Sequence, residues 1–156
     1  MKNYYAKAAR RLANLPRFNG LSDFLLFSRI FVFAAIVPLL MRLPLPRLPS
    51  LLRPRRVPAV AGQAKVQQIA SYVDGAMQLG TPLIQHRCLT RGLTLFYFLS
   101  RAGLDVELCF GIGSKEDNYP GHCWLVRDAE SFLEPQNPYA RYQTYYHFPA
   151  YRDSST

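Results

Sequence analysis

The sequence predicts an α+β fold, in which helices lead into a small antiparallel sheet and a cysteine sits at the N-terminus of one helix. Three observations carry this. Leu89, Leu93, Phe96 and Leu99 recur at helical spacing after Cys88, as Val66, Ile69, Val73 and Ala76 do earlier. Residues 106–112, Val-Glu-Leu-Cys-Phe-Gly-Ile, alternate as a strand does. Residues 121–126, Gly-His-Cys-Trp-Leu-Val, give a second strand that opens on a histidine.

In chain order, residues 1–20 are basic and aromatic and fit a short amphipathic helix. Ser22 or Asp23 is placed to cap the next helix. Residues 24–41 are apolar on every side. One face holds Phe24, Phe31, Ala35 and Leu39, the other Phe27, Ile30, Phe33 and Val37. Such a helix is buried or membranous. Arg29 interrupts the run and Pro38 kinks it. The expected placement is therefore burial in the domain or against a partner, ahead of rest on a membrane surface or a full span. A signal peptide is not expected, because the apolar run continues past its one small-residue site near Ala34-Ala35. Residues 42–62, with Pro44, Pro46, Pro49, Pro54 and Pro58, read as a basic, extended connector.

Residues 64–79 form an amphipathic helix ended by Gly80, and Thr81-Pro82 marks a break. The Cys88 helix follows and stops at Gly103. Residues 113–121 form a polar loop beside His122 that is placed to line a substrate cleft. A turn at residues 128–131 leads to a third strand, Phe132-Leu133-Glu134. Residues 135–151, rich in tyrosine, are expected to pack over the sheet. The expected organisation is an N-terminal segment and connector over 1–62, a core over 63–151 and a polar tail over 152–156.

The chain has 156 residues and 49% hydrophobic content, which fits one domain with a real core and excludes disorder. Its three cysteines, Cys88, Cys109 and Cys123, form no secreted disulfide framework and fit a reducing compartment. The charge is uneven. Residues 1–60 hold eleven Lys and Arg and one acid; residues 61–156 hold eight and nine. Charge alone admits an acidic protein or peptide, a membrane surface or nucleic acid as partner of the basic half, or simply a solvated face.

The chemistry lies in the order of side chains. A helix N-terminus offers partial positive charge and free N–H groups. Both favour a thiolate at Cys88, and the same N–H groups suit an oxyanion. His122 lies 34 residues on, as a base, and an acid follows to orient it. Read from the residues alone, Cys88 also fits a buried core cysteine. His86 is closer in sequence, but its side chain is expected to point elsewhere, and His147 reads as structural. Glu134 is the first choice of acid and Asp128 the second, because strand register decides which one reaches His122. Gln85 is a candidate oxyanion donor. Trp124 shares a strand face with His122, either as core or as part of the oxyanion and substrate-binding side. A zinc site built from the three cysteines and His122 lacks a C-x-x-C pair, and Cys123 points away from His122 on its strand. The Gly111-x-Gly113 fragment is too short for a phosphate loop. No metal or cofactor is expected.

The stretches CLTRGLTLFYFLSRAGLDVELCFGIG and GHCWLVRDAESFLEP resemble the transglutaminase-like cysteine peptidases of lasso-peptide maturation, the standalone proteases that remove a leader from a ribosomal precursor. Cys88, Leu89, Arg91, Gly103, Gly111, His122 and Trp124 fall on that family's pattern. Cys123 stands where the family usually has Ala, and its acid falls on Glu134 rather than on Asp. Asp128 matches an acid that ends the histidine strand.

The resemblance implies a transglutaminase/papain-like fold, a Cys88–His122–acid peptidase and a cytoplasmic location. It also implies the precursor peptide as substrate, a separate leader-binding protein, a lasso cyclase acting afterwards, and no nucleic-acid partner. Segment 1–60 is then the candidate docking surface, with residues 24–41 as a possible membrane-surface contact. A transglutaminase-like amide transferase and a non-enzymatic binding or membrane module remain as alternatives.

Overall fold

The computed structural model describes residues 20–40, 42, 52, 61–80, 87–113 and 121–148. The expectations for residues 1–19, most of the connector, Thr81-Pro82, Gln85, His86, the loop over 114–120 and the tail lie outside them.

Among the described residues, three helices pack on a small antiparallel sheet, as the periodicity predicts, and the sheet has four strands, one more than expected. The helices are α1, Leu21–Leu40, α2, Gln63–Leu79, and α3, Arg87–Arg101. The strands are β1, Glu107–Gly113, β2, His122–Arg127, β3, Glu130–Phe132, and β4, Tyr142–Phe148, in the spatial order β3-β2-β1-β4. α2 buries its predicted stripe together with Ala70, Tyr72, Gly75 and Met77. α3 ends in a Schellman-type closure, with Leu104 N–H donating to Leu99 C=O at 3.1 Å and Gly103 at φ 85°.

α1 starts earlier than predicted. Gly20 accepts the first helical N–H, from Phe24, so Ser22 and Asp23 lie inside the first turn rather than capping it. Asp23 instead accepts from Gln68 of α2 at 2.8 Å. The helix buries one face only. Ile30, Ala34 and Val37 are fully buried, Phe27 meets Tyr72 edge-on, and Phe33 stacks on Tyr97 of α3 at 4.3 Å. Leu21, Phe24, Leu25, Val32, Ile36 and Leu39 are exposed. By length and composition α1 is also apolar enough to cross a membrane.

The sheet differs from expectation at its C-terminal half. The β2–β3 turn is only Asp128-Ala129, both at positive φ (52° and 65°). This is the backbone of a two-residue hairpin whose twist suits antiparallel strands. Pairing therefore resumes at once, with Arg127 opposite Glu130 and Leu125 opposite Phe132. The third strand stops at Phe132, because Leu133 adopts φ 60°, a conformation a leucine rarely takes. Residues 142–148 do not lie over the sheet. They form its edge strand beside β1, where the pairing skips Tyr145 between Phe110 and Gly111.

Two close approaches fix the site's surroundings, one between helix and sheet and one within the sheet. A Cβ at Gly92 of α3 would lie 2.8 Å from Cys123 Sγ, so the helix sits directly on β2 there. A Cβ at Gly111 would lie 2.6 Å from the indole ring of Trp124. The indole is rigid and fully buried, so the ring or the strand must shift. Gly111→Ala is expected to lower stability by about 1–3 kcal/mol, read as a fall in the denaturant midpoint. An unchanged midpoint would contradict this packing.

Candidate active site

The site forms where the first turn of α3 meets the first residue of β2. Cys88 is the second residue of α3, among N–H groups that have no partner within the helix. His122 pairs with Gly111 at the end of the β1–β2 ladder. Its ring stacks beside Trp124, 5.9 Å between centroids and 19° from parallel, and beside Tyr142 at 5.1 Å. The imidazole hydrogen-bonds to the Cys88 thiol. Its Nε2 lies 3.5 Å from Glu134 Oε2.

The electrostatics follow from these contacts. The hydrogen bond to His122 lowers the Cys88 pKa against the opposing effect of burial, and the backbone N–H groups of Leu89 and Cys123 add to it. His122 is raised to about 9, first by Cys88 and then by Glu134. The two shifts are mutual, and both favour the thiolate–imidazolium form of the pair over the neutral form. Because the histidine's folded value lies above its ordinary one, its contribution is complete below about 6.5 and is lost as pH rises through about 9. The thiolate partner sets the lower limit of the window.

Of the candidate acids, Glu134 is the one brought to His122. Continued β2–β3 pairing would set Glu134 opposite Cys123; the left-handed Leu133 ends that register. Glu134 Oε1 also accepts from Arg91 at 2.9 Å. Asp128 does not reach His122. It sits exposed in the hairpin turn, 3.4 Å from Arg127 Nε, because the short turn places it at the far end of β2. Trp124 takes the core position of its two expected placements. It is fully buried with Cys109 and Val126, and it supports the His122 ring from within the sheet face. Gln85 and His86 lie outside the described residues. Cys123 faces α3, and burial drives its pKa well up.

A second cysteine–histidine pair escaped the sequence reading. Cys109 Sγ lies 2.9 Å from His147 Nδ1 across the β1–β4 ladder. It lacks what distinguishes Cys88. It is fully buried mid-strand, and burial with nearby Glu107 pushes its thiol up to about 12. The register Cys109↔His147 was the signal, and it became readable only once β4 was known to be a strand. Among the described residues no three His, Cys, Asp or Glu side chains converge as metal ligands do.

Beside His122, residues Glu134, Pro135, Asn137, Pro138 and Tyr142 line a cavity of about 180 Å³. The connection from β3 to β4 forms its wall, held by the Asn137 side chain accepting from Tyr139 N–H at 3.0 Å.

Iodoacetamide near neutral pH is expected to modify Cys88 well before Cys109 and Cys123, as mapped by peptide mass spectrometry. Equal modification of all three would contradict the ion pair. Glu134→Gln is expected to bring the loss of the imidazolium to lower pH, seen as a narrower pH window for rapid alkylation.

No curated protein and no solved structure gives a significant match to the chain. The family model of the transglutaminase-like superfamily matches residues 31–147, which include the second half of α1, α2, α3 and all of the sheet but Phe148. The match spans most of the 156 residues. The chain belongs to the transglutaminase-like superfamily, a superfamily made up generally of cysteine-dependent peptidases and acyltransferases.

Proposed function

We propose that the chain is a cysteine endopeptidase that removes the leader from a lasso-peptide precursor in the cytoplasm. The observation that carries the reading is the Cys88–His122 hydrogen bond at the N-terminus of α3, with Glu134 beside the ring. Residues that match the lasso-peptidase pattern, Cys88-Leu89-x-Arg91 and His122-x-Trp124, support this substrate class within the superfamily.

In the mechanism, the Cys88 thiolate attacks the carbonyl carbon of the leader–core bond. N–H groups at the start of α3 stabilise the oxyanion. The His122 imidazolium gives its proton to the amide nitrogen as the C–N bond breaks, and the core leaves with a free amine. The leader remains as a thioester on Cys88. Neutral His122 then takes a proton from water, the hydroxide attacks the thioester, and the thiolate departs to restore the ion pair. Glu134 holds the ring orientation through both steps. The released core passes to a separate lasso cyclase.

The test is incubation of the cognate precursor and a separate leader-binding protein with wild type or Cys88→Ala, read by mass spectrometry. Cleavage at one site is expected from wild type, with loss of at least a thousandfold in Cys88→Ala. Equal products from both would refute the reading. A new amide on an added amine, in place of free acid, would make the protein an amide transferase.

The leader-binding protein docks on α1 in this reading. The exposed stripe Leu25, Val32 and Ile36 is unpartnered among the described residues, and the surrounding segment 1–60 carries the chain's basic surplus, which suits an acidic partner surface. Deleting residues 1–60 would also remove the buried face of α1 from the core, so surface changes are the cleaner probe. Leu25→Glu with Val32→Glu and Ile36→Glu is expected to abolish capture of the partner while far-UV circular dichroism stays unchanged. Retained capture would refute the assignment. Wild-type binding to anionic vesicles that the triple variant loses, with capture of the partner intact, would assign the face to a membrane surface instead.

A further inference from the structure

We infer that Arg91 is a positioning residue, whose guanidinium fastens the Leu133–Glu134 turn to α3 so that one Glu134 oxygen is left to face His122. The inference rests on the peptidase reading of the Cys88–His122 pair and extends it to how the acid is held.

Arg91 lies one helical turn beyond Cys88, so the same helix presents the nucleophile and this cation. Each face of its guanidinium is used. Nη1 donates to Glu134 Oε1 at 2.9 Å, Nη2 donates to the Leu133 carbonyl at 3.1 Å, and Nε donates to Asp74 Oδ1 of α2 at 2.7 Å. Burial pulls the Arg91 pKa down, and the two carboxylates more than offset it, so the group stays charged.

The need for such a clamp follows from the backbone. Leu133 sits at φ 60°, a strained conformation for a non-glycine residue that persists only where neighbours enforce it. Its carbonyl and the next side chain are the two groups Arg91 grips. The planar fork matches that pair, whereas a lysine offers one point charge. Asp74 in turn fixes the guanidinium plane. The contact chain runs Asp74, Arg91, Glu134, His122, Cys88, and so links α2 to the nucleophile. Among the described residues, the titratable and charged groups around His122 are Cys88 from α3, Glu134 after β3, Tyr142 from β4 and Arg141 lining the same cavity.

Two accounts of Arg91 predict opposite results. If it only shares the charge of an acid that stands unaided, removing it leaves Glu134 more available to His122, and the histidine titrates at the same or higher pH. If it positions Glu134, removing it lets the acid swing away, and the histidine titrates lower. The experiment is an NMR titration of the histidine ring protons in wild type, Arg91→Gln, Arg91→Lys and Glu134→Gln, with His86→Asn and His147→Asn spectra for assignment. Thermal melts establish that each variant is folded.

Arg91→Gln is expected to lower the His122 titration by a unit or more, in the same direction as Glu134→Gln, with Arg91→Lys between wild type and Arg91→Gln. With precursor, kcat is expected to fall on the order of tenfold or more with little change in KM. An unchanged or raised His122 titration in Arg91→Gln would overturn the inference. Should Arg91→Gln fail to fold, Asp74→Asn at the exposed end of the chain carries the test, where a lowered titration supports the clamp and an unmoved one overturns it. Failure of the peptidase reading looks different. There, wild-type His122 titrates near its ordinary value, or precursor stays uncut while the titrations still shift.

Discussion

The hydrogen bond between Cys88 and His122 crosses the boundary between the two layers of the molecule, and the rest of the structure keeps its ends together. One end rides on α3, the other on the first residue of β2. Neither residue is unusual alone. A cysteine in a first turn is commonly core, and a histidine at a strand end is commonly solvated. The pair becomes chemical because the sheet lies close under the helix. That closeness depends on Gly92, where a side chain would strike Cys123. Within the sheet, Gly111 leaves room for the Trp124 indole beside the His122 ring, which fixes the other end of the pair.

The contrast with Cys109 and His147 shows which features matter. Both pairs bring sulfur and imidazole within hydrogen-bond range. Cys109 lies buried in the middle of a strand, where desolvation keeps the proton on sulfur. Cys88 is half buried, faces N–H groups and meets a histidine backed by a carboxylate. Proximity is shared; the helix N-terminus and the acid are not. Strand alternation turns the Cys123 thiol to the helix side, where burial keeps its proton on sulfur, so only its backbone N–H serves Cys88.

Much of this was legible in the residues, and the misses have physical causes. The spacing of Leu89, Leu93, Phe96 and Leu99 gave α3, and the Val66 stripe gave α2, because an amphipathic period is a strong signal. Cys88 at a helix start and His122 at a strand start were readable for the same reason. The β2–β3 register was not, since Asp128-Ala129 lacks the glycine that usually announces a two-residue turn. Nor was the bend at Leu133, which no propensity favours and which Arg91 helps to impose. β4 was hidden by its run of tyrosines and its bulge, although residues 142–148 hold the aromatic and β-branched side chains that strands prefer. The polarity of α1 was also invisible. Every side of that helix is apolar, so only packing against α2 and α3 decides which face is covered.

The account's central claim is that Cys88 rests as a thiolate held by His122. Thiolate absorbance in the ultraviolet, recorded against pH as the difference between wild type and Cys88→Ala, tests it without any substrate. The account predicts a thiolate step below the ordinary cysteine range, and its displacement toward that range in His122→Ala. A difference spectrum that shows no thiolate until near pH 9 in wild type would contradict it.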